Sequence, residues 1–259
     1  MRKARLAHWV FAATLIALGI MGLVSADLTG LWAPVPKAWP GRAALVWMCA
    51  LVCLGAGAGL LWRGSAALAA RVLLAWLLLW VLVFRVRVIV LAPGSMDTWE
   101  NCAETVVVLA GAWTLYAGTA NAWDRRHLGF AAGEPGLRIA RTLFGASLIA
   151  FGAAHFAYLK ETASLVPAWL PGHPGWAYFT GGAYIAAGVA IIAGVLARLA
   201  ASLATLQIAG FTFLVWAPIA AAGHPSAFAW SETVISWTLT AAAWVIADSY
   251  RGRRWLRLR

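Results

Sequence analysis

Ala13-Thr14-Leu15-Ile16-Ala17-Leu18-Gly19 returns later in the chain as Ala146-Ser147-Leu148-Ile149-Ala150-Phe151-Gly152. Each copy opens a run of four apolar stretches. Each run then passes through a Trp- and Pro-rich loop of the form P-x-x-x-P-G, at Pro36 to Gly41 and at Pro167 to Gly172. An arginine followed by an Ala-rich segment recurs at Arg63 and Arg198, and a Glu-Thr-Val step recurs at Glu104 and Glu232. Ordered recurrence of this kind marks a duplicated unit, and the length of the apolar runs makes it a membrane unit.

The rest of the composition agrees. With 63% hydrophobic and 11% charged residues over 259 positions, the chain lacks the polar side chains to cover a water-soluble fold. Runs of about 20 apolar residues match the thickness of a hydrocarbon core. They fall near 8–26, 43–61, 67–91, 103–121, 139–159, 176–196, 199–220 and 231–249. Lipid cannot satisfy backbone amides, and the runs are too long for barrel strands, so they must be helices. The expected fold is all-α: a polytopic membrane protein with eight transmembrane helices arranged as two parallel four-helix repeats. The repeats are parallel because each half crosses an even number of times. Residues 1–123 form the first repeat, 124–137 a cytoplasmic linker, 138–250 the second repeat and 251–259 a basic tail.

The net charge of +11 does not point to nucleic acid, because the charges alternate with the spans. Arg2, Lys3, Arg5, Arg63, Arg71, Arg125, Arg126, Arg138, Arg141 and Arg198 fall on one side, with Arg251, Arg253, Arg254, Arg257 and Arg259 in the tail. These are fifteen of the 20 Lys and Arg. The other side keeps Lys37, Arg42, Arg85, Arg87 and Lys160 together with six of nine acids. By the positive-inside rule both termini are cytoplasmic, and anionic lipid attraction is secondary. The first span, with Val24-Ser25-Ala26 after it, resembles a signal peptide, but its length and its mid-chain partner favour a retained helix.

Cys49, Cys53 and Cys102 form no disulfide framework or metal knuckle. Cys49 and Cys53 read as small packing residues, and Cys102 near an outer helix end reads as accessible. Gly55, Gly57 and Gly59, and Gly181, Gly182 and Gly188, read as helix contact faces. Trp32, Trp39, Trp47, Trp99, Trp169, Trp176 and Trp230 gather at the outer boundary as an anchoring belt.

Polar groups inside a bilayer are costly, so each is a candidate site residue. His155 stands about 21 Å along its helix from Arg141, well inside a span. It reads as a proton relay, a quinone hydrogen-bonding group or another ligand, against a neutral histidine bonded to a nearby carbonyl. Arg85 and Arg87 point to opposite faces. Both are expected to snorkel to headgroups, the alternative being that one turns inward to bind an anion or meet Glu104. Glu104 and Glu232 are placed at the outer starts of the fourth and eighth spans, where the helix dipole favours carboxylates. Glu232 lacks a basic partner on the seventh span and must find His155, His224 or Lys160, or stay partly protonated. His173 and His224 lie in outer loops without metal-ligand spacing, and no metal site is expected. No phosphate loop, serine elbow or HExxH motif is present, and no cofactor is evident from the residues alone. No helix is visibly broken by its sequence.

Gly152-x-x-His155-Phe156, the Val166-Pro167-Ala168-Trp169-Leu170-Pro171 loop, the glycine-rich run Gly181 to Gly194 and the Arg198-Leu199-Ala200 turn resemble the DoxX family of bacterial inner-membrane proteins. The resemblance covers 138–250 best, with a weaker copy over 5–123 that includes Trp99-Glu100-Asn101. Family members are typically single four-helix units, so two in one chain mimic a dimer. The resemblance implies a bacterial inner membrane, a partner oxidoreductase and a quinone, because DoxD-type proteins are subunits of a thiosulfate:quinone oxidoreductase. It brings no defined catalytic residues. The expected role is an accessory or quinone-facing subunit of a membrane redox complex, the ligand site drawing on His155, Glu232, Arg85, Glu104 and Trp169. A small-solute transporter or a scaffold is the alternative.

Overall fold

The computed structural model describes residues 6–223 and 225–256; Arg2, Lys3, Arg5, His224, Arg257 and Arg259 lie outside them. Among the described residues there are helices and loops and no strand. Eight long helices carry the fold. They are α1 (Leu6–Ser25), α2 (Arg42–Leu61), α3 (Ala66–Leu91), α4 (Met96–Thr119), α5 (Gly133–Ala157), α6 (His173–Ala193), α7 (Ala197–Ala221) and α8 (Ala227–Asp248). Six of them, all but α4 and α8, are long and apolar enough to cross a membrane. Their outer faces carry large apolar side chains such as Val24, Leu82, Val90, Phe179 and Leu206, each more than half exposed. So much uncovered hydrocarbon is stable only where the solvent is itself hydrocarbon, which makes this a multi-pass membrane protein.

The two helices that miss the apolar criterion are the inner ones. α4 and α8 pack against each other, and α4 has a nearly unbroken buried stretch from Val107 to Ala117. A helix whose neighbours are protein can carry Ser, Thr and Glu that a lipid-facing helix cannot. Around this pair, α1, α2 and α3 pack in sequence up to α4, and α5, α6 and α7 pack in sequence up to α8. α4 also contacts α5, and α8 contacts α1.

Glycines set the closest approaches. A Cβ added to Gly19 would lie 2.7 Å from the Ala50 carbonyl, and one added to Gly152 would lie 2.5 Å from the Gly181 carbonyl. Gly57 and Gly188 meet the backbones of α1 and α5 in the same way, whereas Gly55 and Gly182 face open space. Each P-x-x-x-P-G loop turns into its helix through a left-handed glycine, Gly41 at φ +82° and Gly172 at φ +71°. Both α3 and α7 contain a π-helical turn, Val81–Arg85 and Phe211–Trp216. Each helix continues through its π turn, which has no Gly or Pro inside it.

The stretch after α4 is more ordered than a linker. Ala122–His127 is a helix capped reciprocally by Asn121 and Asp124, and α5 already begins at Gly133. Asp124 is fully buried, 3.1 Å from Arg71 Nε, and accepts a 3.2 Å hydrogen bond from Tyr116. Arg141 donates to Glu134 at 3.0 Å and to the Ser249 carbonyl at 2.7 Å, and Arg253 also pairs with Glu134. These bonds tie the start of α5 to the end of α8 at one arginine-rich end of the bundle. Cys49, Cys53 and Cys102 are free and buried, so Cys102 is not the accessible thiol expected from its position.

Candidate functional site

On α4, Asp97, Glu100, Asn101 and Glu104 are spaced by three, four and seven residues, which puts them on one face. That face looks into a cavity of about 530 Å³ walled by α4, α5, α7 and α8, with Tyr184 entering from α6. The exposed residues Asp97, Glu161 and Ser164 belong to its mouth, at the end opposite the arginines. Glu104, Glu232 and His155 are partly buried within it, and Ile208, Ser236 and Leu239 line it further along the helices. The Tyr158 hydroxyl accepts a 2.9 Å hydrogen bond from the Asp97 amide and joins α4 to the end of α5 at the mouth. The π turn of α7 supplies Phe211 and Trp216 to the wall. An extra residue in a helical turn swings side chains off the regular stripe, and such turns recur at functional sites.

His155 is held by its own helix. Its Nδ1 lies 2.8 Å from the Phe151 carbonyl. A carbonyl can only accept, so Nδ1 carries a proton; in the neutral form of the ring Nε2 is then the unprotonated nitrogen. That Nε2 is buried and has no partner among the described residues. The ring stands edge-on to Tyr184, at 5.4 Å and 76°, and to Phe211, at 5.5 Å and 78°. Gly181 leaves the room for it, since a Cβ there would sit 3.0 Å from His155 Cβ. A lone pair fixed between aromatic rings is an acceptor waiting for an O–H or N–H donor.

The expected site residues part company here. His155, Glu104 and Glu232 meet in the cavity, while Arg85 and Trp169 do not line it. Arg85 does not snorkel: only 3% exposed, it donates from Nε to Thr105 Oγ1 at 2.8 Å. One of its terminal nitrogens reaches the carbonyls of Gly30 and Leu31, at 3.4 and 3.3 Å. It makes no ion pair with Glu104 and instead clamps the 3₁₀ turn Gly30–Trp32 onto α3 and α4. Arg87 is exposed, on the opposite side. Trp169 is 70% exposed in its loop, in keeping with the anchoring belt alone. Glu104 is the ninth residue of α4 and Glu232 the sixth of α8, so the dipole of the first turn does not account for either. Among the described residues neither has a side-chain hydrogen bond or an ion pair, and no three His, Cys, Asp or Glu converge as a metal site.

Asp97, Glu100, Asn101 and Tyr184 were not expected in the site. The first three carried a readable signal, the spacing along α4 that aligns them with Glu104. Tyr184 carried none, because its place depends on the packing of α6 against α5. Comparison of the chain with family models, with curated proteins and with solved structures gives no match.

Proposed function

We propose that this chain is an eight-span protein of a bacterial inner membrane, built from two parallel four-helix units of DoxX type, and that its cavity takes a quinone headgroup beside a membrane oxidoreductase. The duplication is supported by matched details: the paired glycine contacts of Gly19 with Gly152 and of Gly57 with Gly188, the corner glycines Gly41 and Gly172, and the π turns of α3 and α7. Spanning by α4 and α8 is supported by their lengths of 24 and 22 residues and by the helices that shield them.

One observation carries the ligand reading: the buried, unpartnered Nε2 of His155 inside an aromatic wall. A hydroquinone presents a hydroxyl donor on a flat ring and, when bound, supplies a two-electron, two-proton couple to the partner. His155 Nε2 accepts the hydroxyl; Phe151, Tyr184 and Phe211 flank the ring. The carboxyl groups of Glu104, Glu100 and Glu232 line the same cavity and exchange protons with water through its mouth. In the first half, Trp32 packs edge-on to Trp80 at 5.1 Å, and Arg85 bonds Thr105 at 2.8 Å.

The test is quinol-analogue binding to purified protein, followed by tryptophan fluorescence. His155→Phe keeps the wall and removes the acceptor, and should weaken binding about tenfold or more, the range of one hydrogen bond to a buried group. Unchanged affinity would discard the reading. A second reading, transport of a cationic solute, is favoured by the unpaired carboxyls of Glu104 and Glu232. Vesicle uptake abolished by Glu232→Gln but insensitive to His155→Phe would select it.

A further inference from the structure

A second cavity lies away from the acidic one, between α7 and α8 at the arginine-rich end, with a volume of about 600 Å³. Along α7 its lining runs from Arg198 through Thr205 and Leu206 to Phe213, and along α8 from Thr240 through Trp244 to Arg251 and Trp255 beyond it. The fifteen helical steps from Arg198 to Phe213 rise about 22 Å. One leaflet of a bilayer, headgroups included, is about 20–22 Å thick. The groove therefore runs the depth of a single leaflet and stops where Phe213 packs edge-on against Trp237, at 5.8 Å.

Its two ends differ in chemistry. The deep end is walled by Leu206, Ala209, Phe213 and Trp244, and Leu206 is 67% exposed. The shallow end holds two guanidinium groups. Arg251 is paired with Asp248. Arg198 has no acidic partner among the described residues: one nitrogen donates to the Arg253 carbonyl at 2.6 Å, and its guanidinium stacks on Trp255 at 3.9 Å. A guanidinium has five N–H donors. The stack and the single carbonyl bond orient this one and leave donors and a net positive charge at headgroup depth.

We propose that this groove is a binding site for an anionic phospholipid, its phosphate on Arg198 and one acyl chain lying along Leu206, Ala209 and Phe213. The site is independent of the acidic cavity and of the quinone reading. The apolar wall supplies chain contact, and the uncompensated arginine supplies preference for a negative headgroup. Arg254, exposed beside Trp255, adds charge of the same sign.

The protein is reconstituted in nanodiscs holding phosphatidylglycerol and phosphatidylcholine in equal amounts, and the lipid retained after detergent exchange is quantified by mass spectrometry. Phosphatidylglycerol should be enriched in the retained fraction. Arg198→Gln should cut that enrichment by roughly fivefold, the worth of one arginine near a charged surface. Ala209→Phe fills the groove while leaving every arginine, and should lower retention of both lipids; it also reads the site if Arg198→Gln does not fold. Equal retention of the two lipids by the unaltered protein, or retention unaffected by Ala209→Phe, would overturn the proposal. Soluble glycerol 3-phosphate should not displace the lipid; displacement would mean that the arginine binds a free phosphate, and would equally overturn it.

Discussion

A single methyl group distinguishes the glycines that hold helices together from those that do not. At Gly188 an added Cβ would collide with the Gly145 carbonyl and with Ile149, both in the backbone-to-backbone seam of α5 and α6. At Gly182, six residues earlier on the same helix, it would meet nothing within 4 Å. Overpacking a tight seam costs about 1–3 kcal/mol, while Gly to Ala in an open helical position gains up to about 1 kcal/mol. Gly188→Ala should therefore lower the thermal unfolding temperature in detergent, and Gly182→Ala should leave it unchanged or raise it. Equal effects at the two positions would mean that close approach is not what holds this pair of helices. The sequence marked both glycines as a contact face; only the rotation of α6 against α5 separates them, and rotation is a tertiary property.

At the scale of elements, Arg85 closes the π turn Val81–Arg85 of α3 and is buried. Its guanidinium joins three elements by bonding Thr105 of α4 and the carbonyls of Gly30 and Leu31. Arg85→Met keeps an unbranched apolar stem and removes the guanidinium with every donor, which costs about 1.5–3 kcal/mol for bonds to a charged group. Trp32, 2% exposed, should then become accessible to a collisional quencher of tryptophan fluorescence. If Trp32 stays shielded, the turn is held by apolar packing alone. The next loop element carries a pH effect. Burial raises the Asp27 carboxyl, but the hydrogen bond and charge of Arg42, with the Leu28 amide and Lys37, bring it below the ordinary range. A lowered value means stability that is complete above the unfolded pKa, about 3.9, and is lost as pH falls through the folded one. Any stability gap between the protein and Asp27→Asn should hold from neutrality down to about pH 4 and close below it. Helix positions were legible because long apolar runs must be helical in lipid, and each run lies within several residues of a helix; six of these helices are long and apolar enough to cross a membrane. The π turns were not, since no residue type encodes them; Arg85 was misplaced because its inward partners, Thr105 and the Gly30 and Leu31 carbonyls, come from other elements brought together by packing.

For the whole molecule, the question is which ends of the helices face the same water. Arg71 with Asp124, Arg141 with Glu134 and Ser249, and Arg253 with Glu134 bind the start of α3, the segment after α4, the start of α5 and the end of α8 into one face. The mouth of the acidic cavity lies at the opposite face, where Asp97, Glu161 and Ser164 are exposed. The alternation of arginines along the sequence foretold an arginine-rich end of the bundle; of the residues lining the cavity of α4, α5, α7 and α8, the sequence singled out His155, Glu104 and Glu232. Native thiols make the test clean, because Cys49, Cys53 and Cys102 are all buried. A membrane-impermeant maleimide added to intact cells should label Ser164→Cys, and should label Arg126→Cys and Gly252→Cys only after the membrane is opened. Arg126 and Gly252 must respond alike, since the Glu134 bonds hold their neighbourhoods together. Labelling of Arg126→Cys and Gly252→Cys from opposite sides would overturn the even number of crossings proposed between them, and with it the proposed unit of four, α5 through α8. Labelling of both from outside would keep the bundle and invert it, so that the carboxyl groups of the cavity would exchange protons with the cytoplasm.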